Sequence, residues 1–339
     1  ISMNFSGLSD IARYIVSDGK GILAADESNP TCTKRFDSIG VESTEENRRN
    51  YRETLFTAEG MRENIGGTIL FDETLRQKAR NGKQLTEVIL QQGALPGIKV
   101  DKGLKPFNNS DIETLTQGLD DLDERCSEYE RVGAKFTKWR AVINIGNNLP
   151  SQECIDANMD ALAQYAKIAQ KNNMVPIVEP EVLMDGEHSA EDCLDATSRS
   201  LKSLFAFLDN YNVNIEGTLL KPNMITAGSN HPKQLSEDQV AEVTLGCLKE
   251  HVPANIPGIA FLSGGQSDIK ATHHLDIMNK LGGGPWKLTF SYGRALQQAA
   301  LKTWLGKEEN EKKAQDAFSH RALMNKLAAL GKWSSELEE

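Results

Sequence analysis

GILAAD, at residues 21–26, is the first of eight short apolar runs that recur along the chain. The runs are partly β-branched or aromatic and begin roughly 30 to 45 residues apart, a spacing typical of buried strands separated by longer elements. We therefore expect eight β-strands. The other seven runs are GGTILFD (66–72), PGIKVD (96–101), AKFTKWR (134–140), VPIVEPE (175–181), IEGTLLK (215–221), GIAFLSGG (258–265) and KLTFSYG (287–293).

Helix-like stretches separate these runs. Segments 155–173, 190–211 and 236–251 carry apolar residues at three- and four-residue spacing, which predicts amphipathic helices. Another stretch follows Thr44, whose hydroxyl fits a helix N-cap and is followed by two acidic residues in the first turn. Strands and helices are thus expected to alternate along the chain.

This alternation predicts a parallel sheet, and eight units predict a single closed (β/α)8 TIM barrel of the α/β class. An open, doubly wound sheet is the alternative, but it favours a glycine-rich turn after the first strand, and GILAADES (21–28) has none. No low-complexity linker divides the chain, so we expect one domain over residues 1–339. Its tail, from about residue 307, is expected to be helical and then flexible.

The bulk composition disfavours several classes of protein. No window approaches the ~18 apolar residues that a membrane span needs. A net charge of −10 repels nucleic acid and anionic membranes, so an anionic substrate would need a local basic pocket. The N-terminus lacks a secretory signal pattern, and the five cysteines lack CxxC spacing, which together predict a cytoplasmic protein with reduced thiols.

Charged residues cluster where the predicted strands end, which is where a β/α barrel carries its active site. Three pairs are spaced i, i+2, so both members of each pair point to the same side of the sheet. Any single pair is readily explained as solvated charge. The whole set indicates a functional pocket, because unpaired ions inside a barrel are costly. The residues are Lys99 and Asp101, Lys138 and Arg140, Glu179 and Glu181, with Asp26 and Lys221.

These residue types suit imine chemistry. Lysine attacks a ketone only as the free amine, and a cation such as Lys138 lowers the pKa of Lys221 in that direction. Expulsion of water from the resulting carbinolamine needs proton transfer, which suits Glu179. Cleavage of a carbon–carbon bond needs a base for the sugar hydroxyl, a role open to Asp26. The pattern favours a metal-independent, Schiff-base-forming aldolase.

Two loops indicate an anion site. LSGGQS (262–267) follows the seventh run and SYGRA (291–295) the eighth, where barrels often bind phosphate through loop amides and a helix N-terminus. Gly264 and Gly265 permit close approach of the backbone, and Arg294 can hold a phosphate in a bidentate fork. The expected substrate is therefore phosphorylated.

At these residues the sequence closely resembles the class I fructose-1,6-bisphosphate aldolases. The resemblance covers residues 19–296 in the family's order, and several of its segments are long and distinctive. They are GKGILAADES (19–28), STEENRRNYRE (43–53), PGIKVDKG (96–103), KWRAV (138–142), VPIVEPEVL (175–183), EGTLLKPNM (216–224), FLSGGQS (261–267) and LTFSYGRAL (288–296).

The resemblance implies roles residue by residue. Lys221 matches the Schiff-base lysine, Glu179 the acid/base that promotes loss of water, and Asp26 the aspartate of bond cleavage. Lys138 matches the charged partner of the lysine. The remaining matches are Glu181 and Lys99 at supporting positions, Arg140 near the second phosphate, Ser263, Gly264, Gly265, Ser291, Gly293 and Arg294 in the C1-phosphate pocket, and Ser28 and Arg35 at the C6-phosphate.

The resemblance also implies the activity: reversible cleavage of fructose 1,6-bisphosphate to dihydroxyacetone phosphate and glyceraldehyde 3-phosphate in glycolysis and gluconeogenesis. It implies neither cofactor nor metal, and it suggests a homotetramer.

Two features depart from the family. Animal members end in a mobile tyrosine thought to assist proton exchange, whereas this chain ends in SSELEE. Pro30 and Thr31 stand where the family commonly has glycine and serine.

Three alternatives stay open. A zinc aldolase would need histidine ligands, but none of the six histidines lies at a predicted strand tip or in an HxxxH pair, and His273 and His274 are expected on a helix surface. Full activity in EDTA would separate the two routes. The second alternative is a related imine-forming barrel enzyme with a singly phosphorylated substrate. The third is a barrel kept as a scaffold, whose binding would survive loss of Lys221.

Overall fold

The computed structural model describes residues 3–339, and a closed barrel of eight parallel strands forms its centre. Each strand pairs with its neighbours in the chain, and the first strand closes the ring against the last. The predicted (β/α)8 barrel is confirmed. The strands are β1 (Gly21–Ala25), β2 (Ile65–Leu70), β3 (Leu95–Lys99), β4 (Phe136–Ile143), β5 (Val175–Val182), β6 (Leu219–Leu220), β7 (Gly258–Phe261) and β8 (Lys287–Tyr292).

Helices surround the barrel. The helix predicted after Thr44 begins as expected, because the Thr44 hydroxyl accepts a hydrogen bond from the Asn47 amide at 3.0 Å. The helices are α1 (Leu8–Ile15), α2 (Asn29–Asp37), α3 (Glu45–Phe56), α4 (Asp72–Arg76), α5 (Leu85–Gln91), α6 (Leu122–Val132), α7 (Gln152–Lys171), α8 (Ala190–Asn210), α9 (Glu237–His251), α10 (Asp268–Lys280), α11 (Arg294–Trp304) and α12 (Glu311–Ala329). None of those within residues 3–339 has the length and apolar content to cross a membrane.

Two β elements differ from the prediction. Only two residues of run 215–221 pair as β6, and Ile215–Gly217 forms a 3-10 turn before it. A short antiparallel hairpin of Leu104–Pro106 and Thr114–Thr116 was not predicted. All three residues of its first strand are exposed, so the strand carries no apolar alternation that a sequence pattern could detect.

The register of β4 and β5 points four charged side chains toward the barrel mouth. These strands pair over their whole length, with Arg140 opposite Glu179 and Val142 opposite Glu181. Because side chains alternate along a strand, Lys138 shares the face of Arg140, and Glu179 that of Glu181. The predicted same-face pairs on these two strands are therefore present.

The amino end of the barrel is filled by apolar side chains and closed by α1. Phe136 is fully buried there and packs against glycines of the neighbouring strands. A Cβ atom added at Gly97 would lie 2.4 Å from the Phe136 ring, and one at Gly66 would lie 2.0 Å from the Ile15 carbonyl oxygen. The glycines thus make room for a tightly packed plug opposite the mouth.

This packing predicts opposite effects for two glycine-to-alanine substitutions. Gly97→Ala is expected to lower the free energy of unfolding by about 1–3 kcal/mol, because the methyl group overpacks against Phe136. The matched control is Gly246→Ala in α9, where an added Cβ meets nothing within 4 Å. There we expect a gain of about 0.5–1 kcal/mol from helix propensity. Urea denaturation of both variants checks the prediction, and equal midpoints would contradict it.

The acidic end of the tail, which we expect to be flexible, forms a turn that contacts α12. After α12 the chain forms a 3-10 turn at Ser335–Glu338. The Glu338 carboxylate accepts hydrogen bonds from Arg321 and, at 2.9 Å, from the indole nitrogen of Trp333. Trp333 is itself 3% exposed. The buried Trp333 and the ion pair between Arg321 and Glu338 therefore anchor the acidic end of the chain, although its composition alone is typical of a disordered segment.

Candidate active site

A cavity of 620 Å³ opens at the carboxyl ends of the barrel strands. Every residue predicted from the sequence to be catalytic or phosphate-binding lines it. They come from strands β3, β4, β5 and β8, from the segments that follow β1, β6, β7 and β8, and from helices α2 and α11. They are Asp26, Ser28, Arg35, Lys99, Lys138, Arg140, Glu179, Glu181, Lys221, Ser263, Gly264, Gly265, Ser291, Gly293 and Arg294.

Lys221 follows β6 directly and is held by its backbone, since its amide donates to the Val178 carbonyl of β5 at 2.9 Å. The residue is 4% exposed. Its ammonium nitrogen Nζ lies 3.9 Å from Oε2 of Glu179. Burial, reinforced by the charge of Lys138, lowers the pKa of Lys221 although Glu179 opposes the shift. The side chain is thus biased toward the free amine.

Lys138 joins the carboxylates on either side of it. Its Nζ lies 2.7 Å from Oδ2 of Asp26 and 3.3 Å from Oε1 of Glu179. Burial disfavours its charge, but the two carboxylates outweigh burial and raise the pKa of Lys138. Positive and negative groups therefore alternate along Asp26, Lys138, Glu179 and Lys221, which we term the charge row.

The two carboxylates of the charge row stay ionised. Burial alone would raise the pKa of Asp26, but Lys138 and Lys99 more than offset it, and the pKa is lowered. Glu179 likewise has a lowered pKa, because its burial is outweighed by Lys138 and Lys221. Alternation of acidic and basic groups explains how four nearly buried titratable side chains share one pocket.

Arg140 and Glu181 form a second ion pair above the charge row. Nε of Arg140 donates to Oε1 of Glu181 at 2.6 Å.

Asp101 was expected to share a face with Lys99, but it does not line the cavity. The reason is that β3 ends at Lys99, so strand alternation does not reach Asp101. Its carboxylate instead accepts from the Arg140 backbone amide at 3.0 Å.

One end of the cavity presents hydrogen-bond donors suited to a phosphate. Gly293 is the N-cap residue of α11 and has no side chain to cap it, so the first backbone amides of the helix face the cavity without a side-chain acceptor. Within residues 3–339 the buried Ser291 hydroxyl has no hydrogen-bond partner. Arg294 donates to carbonyls of the 262–267 loop, at 3.2 Å in the case of Gly264. We term residues 262–267 the phosphate loop.

Ser28 and Arg35 also line the cavity; Ser28 is the N-cap residue of α2, and Arg35 lies within this helix. The hydroxyls of Ser28 and Thr31 are 3.2 Å apart, so the threonine keeps a hydroxyl in this position. Arg35 donates to the carboxylate of Glu27, a cavity residue that was not predicted. Gln297 also donates to Glu27, at 3.0 Å. Glu27 thus orients Arg35. Its position next to Asp26 was the only signal in the sequence that Glu27 belongs to the site.

The histidines lie outside this set. His274 is 4% exposed, not on a helix surface as expected, because its ring Nδ1 hydrogen-bonds to Oε1 of Gln266 at 2.6 Å. Burial lowers the pKa of His274 to about 4. Gln266 in turn donates to the Ser263 carbonyl, which braces the phosphate loop. Within residues 3–339 no three histidine, cysteine or acidic residues are grouped to hold a metal ion.

Comparisons with known proteins agree on one family. A sequence model described as class-I fructose-bisphosphate aldolase matches residues 7–339. A probable fructose-bisphosphate aldolase class 1 of Xanthomonas campestris is 51% identical over 332 residues, covering 98% of this chain and 99% of that protein. The cytosolic fructose-bisphosphate aldolase 4 of Arabidopsis thaliana is 52% identical, covering 96% and 84%. The solved aldolase of Plasmodium falciparum, in complex with TRAP and an inhibitor, has a TM-score of 0.95, 47% identity and coverage of 97% and 95%.

Proposed function

The chain belongs to the class I fructose-bisphosphate aldolase family, and from that premise we propose that Lys221 forms the imine with its ketone substrate. The activity is the reversible cleavage of fructose 1,6-bisphosphate to dihydroxyacetone phosphate and glyceraldehyde 3-phosphate, a carbon–carbon lyase reaction. The observation that carries the assignment is the charge row, which ends on a buried lysine of lowered pKa.

The first half of the reaction makes the imine. The Lys221 amine attacks the C2 carbonyl of the substrate and gives a carbinolamine. Glu179 lies 3.9 Å from the amine and is the acid/base that moves protons so that water leaves. Lys138 supports this step by holding the Glu179 carboxylate in place at 3.3 Å. The protonated imine then withdraws electrons from the bond between C3 and C4.

The second half breaks that bond. Asp26 takes the proton of the C4 hydroxyl, the C3–C4 electron pair moves toward the imine, and glyceraldehyde 3-phosphate departs as the aldehyde. An enamine of dihydroxyacetone phosphate stays on Lys221 until it is protonated and hydrolysed. Lys138 and Lys99 keep Asp26 ionised, so it accepts a proton only as the hydroxyl releases one.

The two sets of hydrogen-bond donors in the cavity support a substrate with two phosphates. We assign the C1-phosphate to the phosphate loop, Ser291, Gly293 and Arg294, and the C6-phosphate to Ser28 and Arg35. Lys99, Arg140 and Glu181 also line the cavity and position the sugar. A singly phosphorylated substrate would leave one set of donors without an anion.

The setting of the reaction is also part of the proposal. We place the enzyme in the cytoplasm, in glycolysis and gluconeogenesis, as a homotetramer without metal or cofactor. The family resemblance supports the pathway and the assembly, and a relative named as cytosolic supports the compartment.

Reductive trapping tests the lysine assignment. Enzyme mixed with dihydroxyacetone phosphate and reduced with borohydride is expected to gain one adduct, which peptide mass spectrometry places on Lys221. Glycerol 3-phosphate, which has the phosphate but no ketone, is the control and should leave no adduct. An adduct on any other lysine would overturn the assignment.

A further inference from the structure

Met184, on the loop after β5, packs directly on the phosphate loop. Its sulfur Sδ accepts a hydrogen bond from the Gly265 amide at an N–S distance of 3.1 Å. An added Cβ would lie 3.1 Å from this sulfur at Gly265 and 3.7 Å at Gly264. Met184 also lines the same cavity as Lys221. The thioether therefore occupies the space that a side chain at position 264 or 265 of the phosphate loop would fill.

The backbone that carries Met184 is fixed. Its carbonyl accepts from the Ser229 amide at 2.8 Å, and the Gly186 carbonyl accepts from the Asn230 amide at 2.9 Å. A Cβ added at Gly228 would lie 2.4 Å from the Gly186 carbonyl oxygen, so the two segments are in close contact. A chemical change at the Met184 sulfur thus cannot be relieved by the backbone and acts on the phosphate loop.

Met184 is also the accessible sulfur of the cavity. The chain has eight methionines, of which all but Met3 and Met184 are buried. All five cysteines are buried as well, and burial raises the pKa of every one of these thiols, which suppresses the reactive thiolate. An oxidant that enters the cavity therefore meets the thioether of Met184 first.

We propose that Met184 is an oxidation site that controls substrate binding through the phosphate loop. The inference rests on the proposed function, because it takes residues 262–267 as phosphate ligands. A sulfur lone pair attacks one oxygen of a peroxide, the O–O bond breaks, and the leaving hydroxide takes the proton of the hydroxyl group now bound to sulfur. With hydrogen peroxide the products are methionine sulfoxide and water.

The sulfoxide changes the site in two ways. Its oxygen carries partial negative charge and accepts hydrogen bonds more strongly than the thioether, so it competes with phosphate for the Gly265 amide. The added oxygen also needs space where sulfur and amide nitrogen are already 3.1 Å apart, which displaces the loop. Met184 is thus a positioning residue whose oxidation lowers affinity for the phosphorylated substrate without altering the lysine chemistry.

The test treats the intact enzyme with limiting hydrogen peroxide. Mass spectrometry is expected to find sulfoxide at Met184 and Met3 before the buried methionines. The KM for fructose 1,6-bisphosphate should then rise about tenfold, with kcat changed less than about twofold, and methionine sulfoxide reductase should restore it. Trapping of dihydroxyacetone phosphate on Lys221 should weaken in parallel, whereas trapping of dihydroxyacetone, which has no phosphate, should not change.

Two variants complete the design. Met184→Leu keeps a side chain of similar size without sulfur, and its KM, whatever its starting value, should not respond to peroxide. Met3→Leu is the matched control and should respond like the parent enzyme. The inference is overturned if Met184→Leu loses affinity as the parent does, or if sulfoxide forms at Met184 with no change in KM. Failure of the proposed function is distinct, because untreated enzyme would then form no adduct at Lys221.

Discussion

Replacing Lys221 by methionine is expected to lower kcat for cleavage of fructose 1,6-bisphosphate by at least about 10⁴-fold. Methionine fills the same volume but cannot form an imine, so the electron sink for the C3–C4 bond is lost. Lys138 still neutralises Glu179 at 3.3 Å, which keeps the pocket folded around the substitution. A coupled assay of glyceraldehyde 3-phosphate release measures the loss, and borohydride trapping should give no adduct.

The matched control is Lys287→Met. Lys287 begins β8 at the opposite end of the barrel and is exposed, so its loss should leave kcat within about twofold of the parent. Circular dichroism and urea midpoints of both variants show that they are folded. Retention of more than a few per cent of the activity in Lys221→Met would mean that another group supplies the amine.

Replacing Asp26 by asparagine is expected to separate the two halves of the reaction. Asparagine keeps the shape of the side chain but takes up no proton, so kcat for cleavage should fall by about 10²–10⁴-fold. Imine formation with dihydroxyacetone phosphate needs no C4 proton transfer, so trapping at Lys221 should persist. Single-turnover cleavage and trapping yields, measured on the same protein, check the split.

Asp185→Asn provides the comparison for Asp26→Asn. Asp185 lines the same cavity, but it is exposed at the rim and has no place in the charge row. Its substitution should change kcat less than about threefold. If Asp26→Asn abolished trapping as well as cleavage, Asp26 would be needed for the structure of the row and not for the proton transfer assigned to it.

The barrel fold and most of the site residues could be predicted from the sequence, because both follow from short-range regularities. Strand-like runs recur with helices between them, and the ends of parallel strands meet at one mouth. This rule brings Lys138, Glu179 and Lys221 together without any knowledge of their distances. The family resemblance added what no spacing could provide, namely the second phosphate site at Ser28 and Arg35.

Features that depend on packing could not be predicted. The i, i+2 spacing of Lys99 and Asp101 predicted that both side chains lie on one face, but β3 ends at Lys99, so the side-chain alternation of the strand does not extend to Asp101. His274 looks polar in sequence, yet its partner Gln266 allows it to be buried. Met184 contacts Gly265 and Glu27 contacts Gln297, both far away in the chain. Neither Met184 nor Glu27 stands in a motif whose chemistry names its partner.

The charge row has a consequence for the newly made chain. Its four members come from β4, β5 and the segments that follow β1 and β6, so Asp26 leaves the ribosome long before Lys221 does. Domains fold only once their partner segments have emerged. Until then position 221 carries an ordinary lysine, protonated at neutral pH and inert toward the carbonyl compounds of the cell. The amine becomes reactive only as the barrel closes, so an incomplete chain is protected from condensing with the wrong aldehyde or ketone.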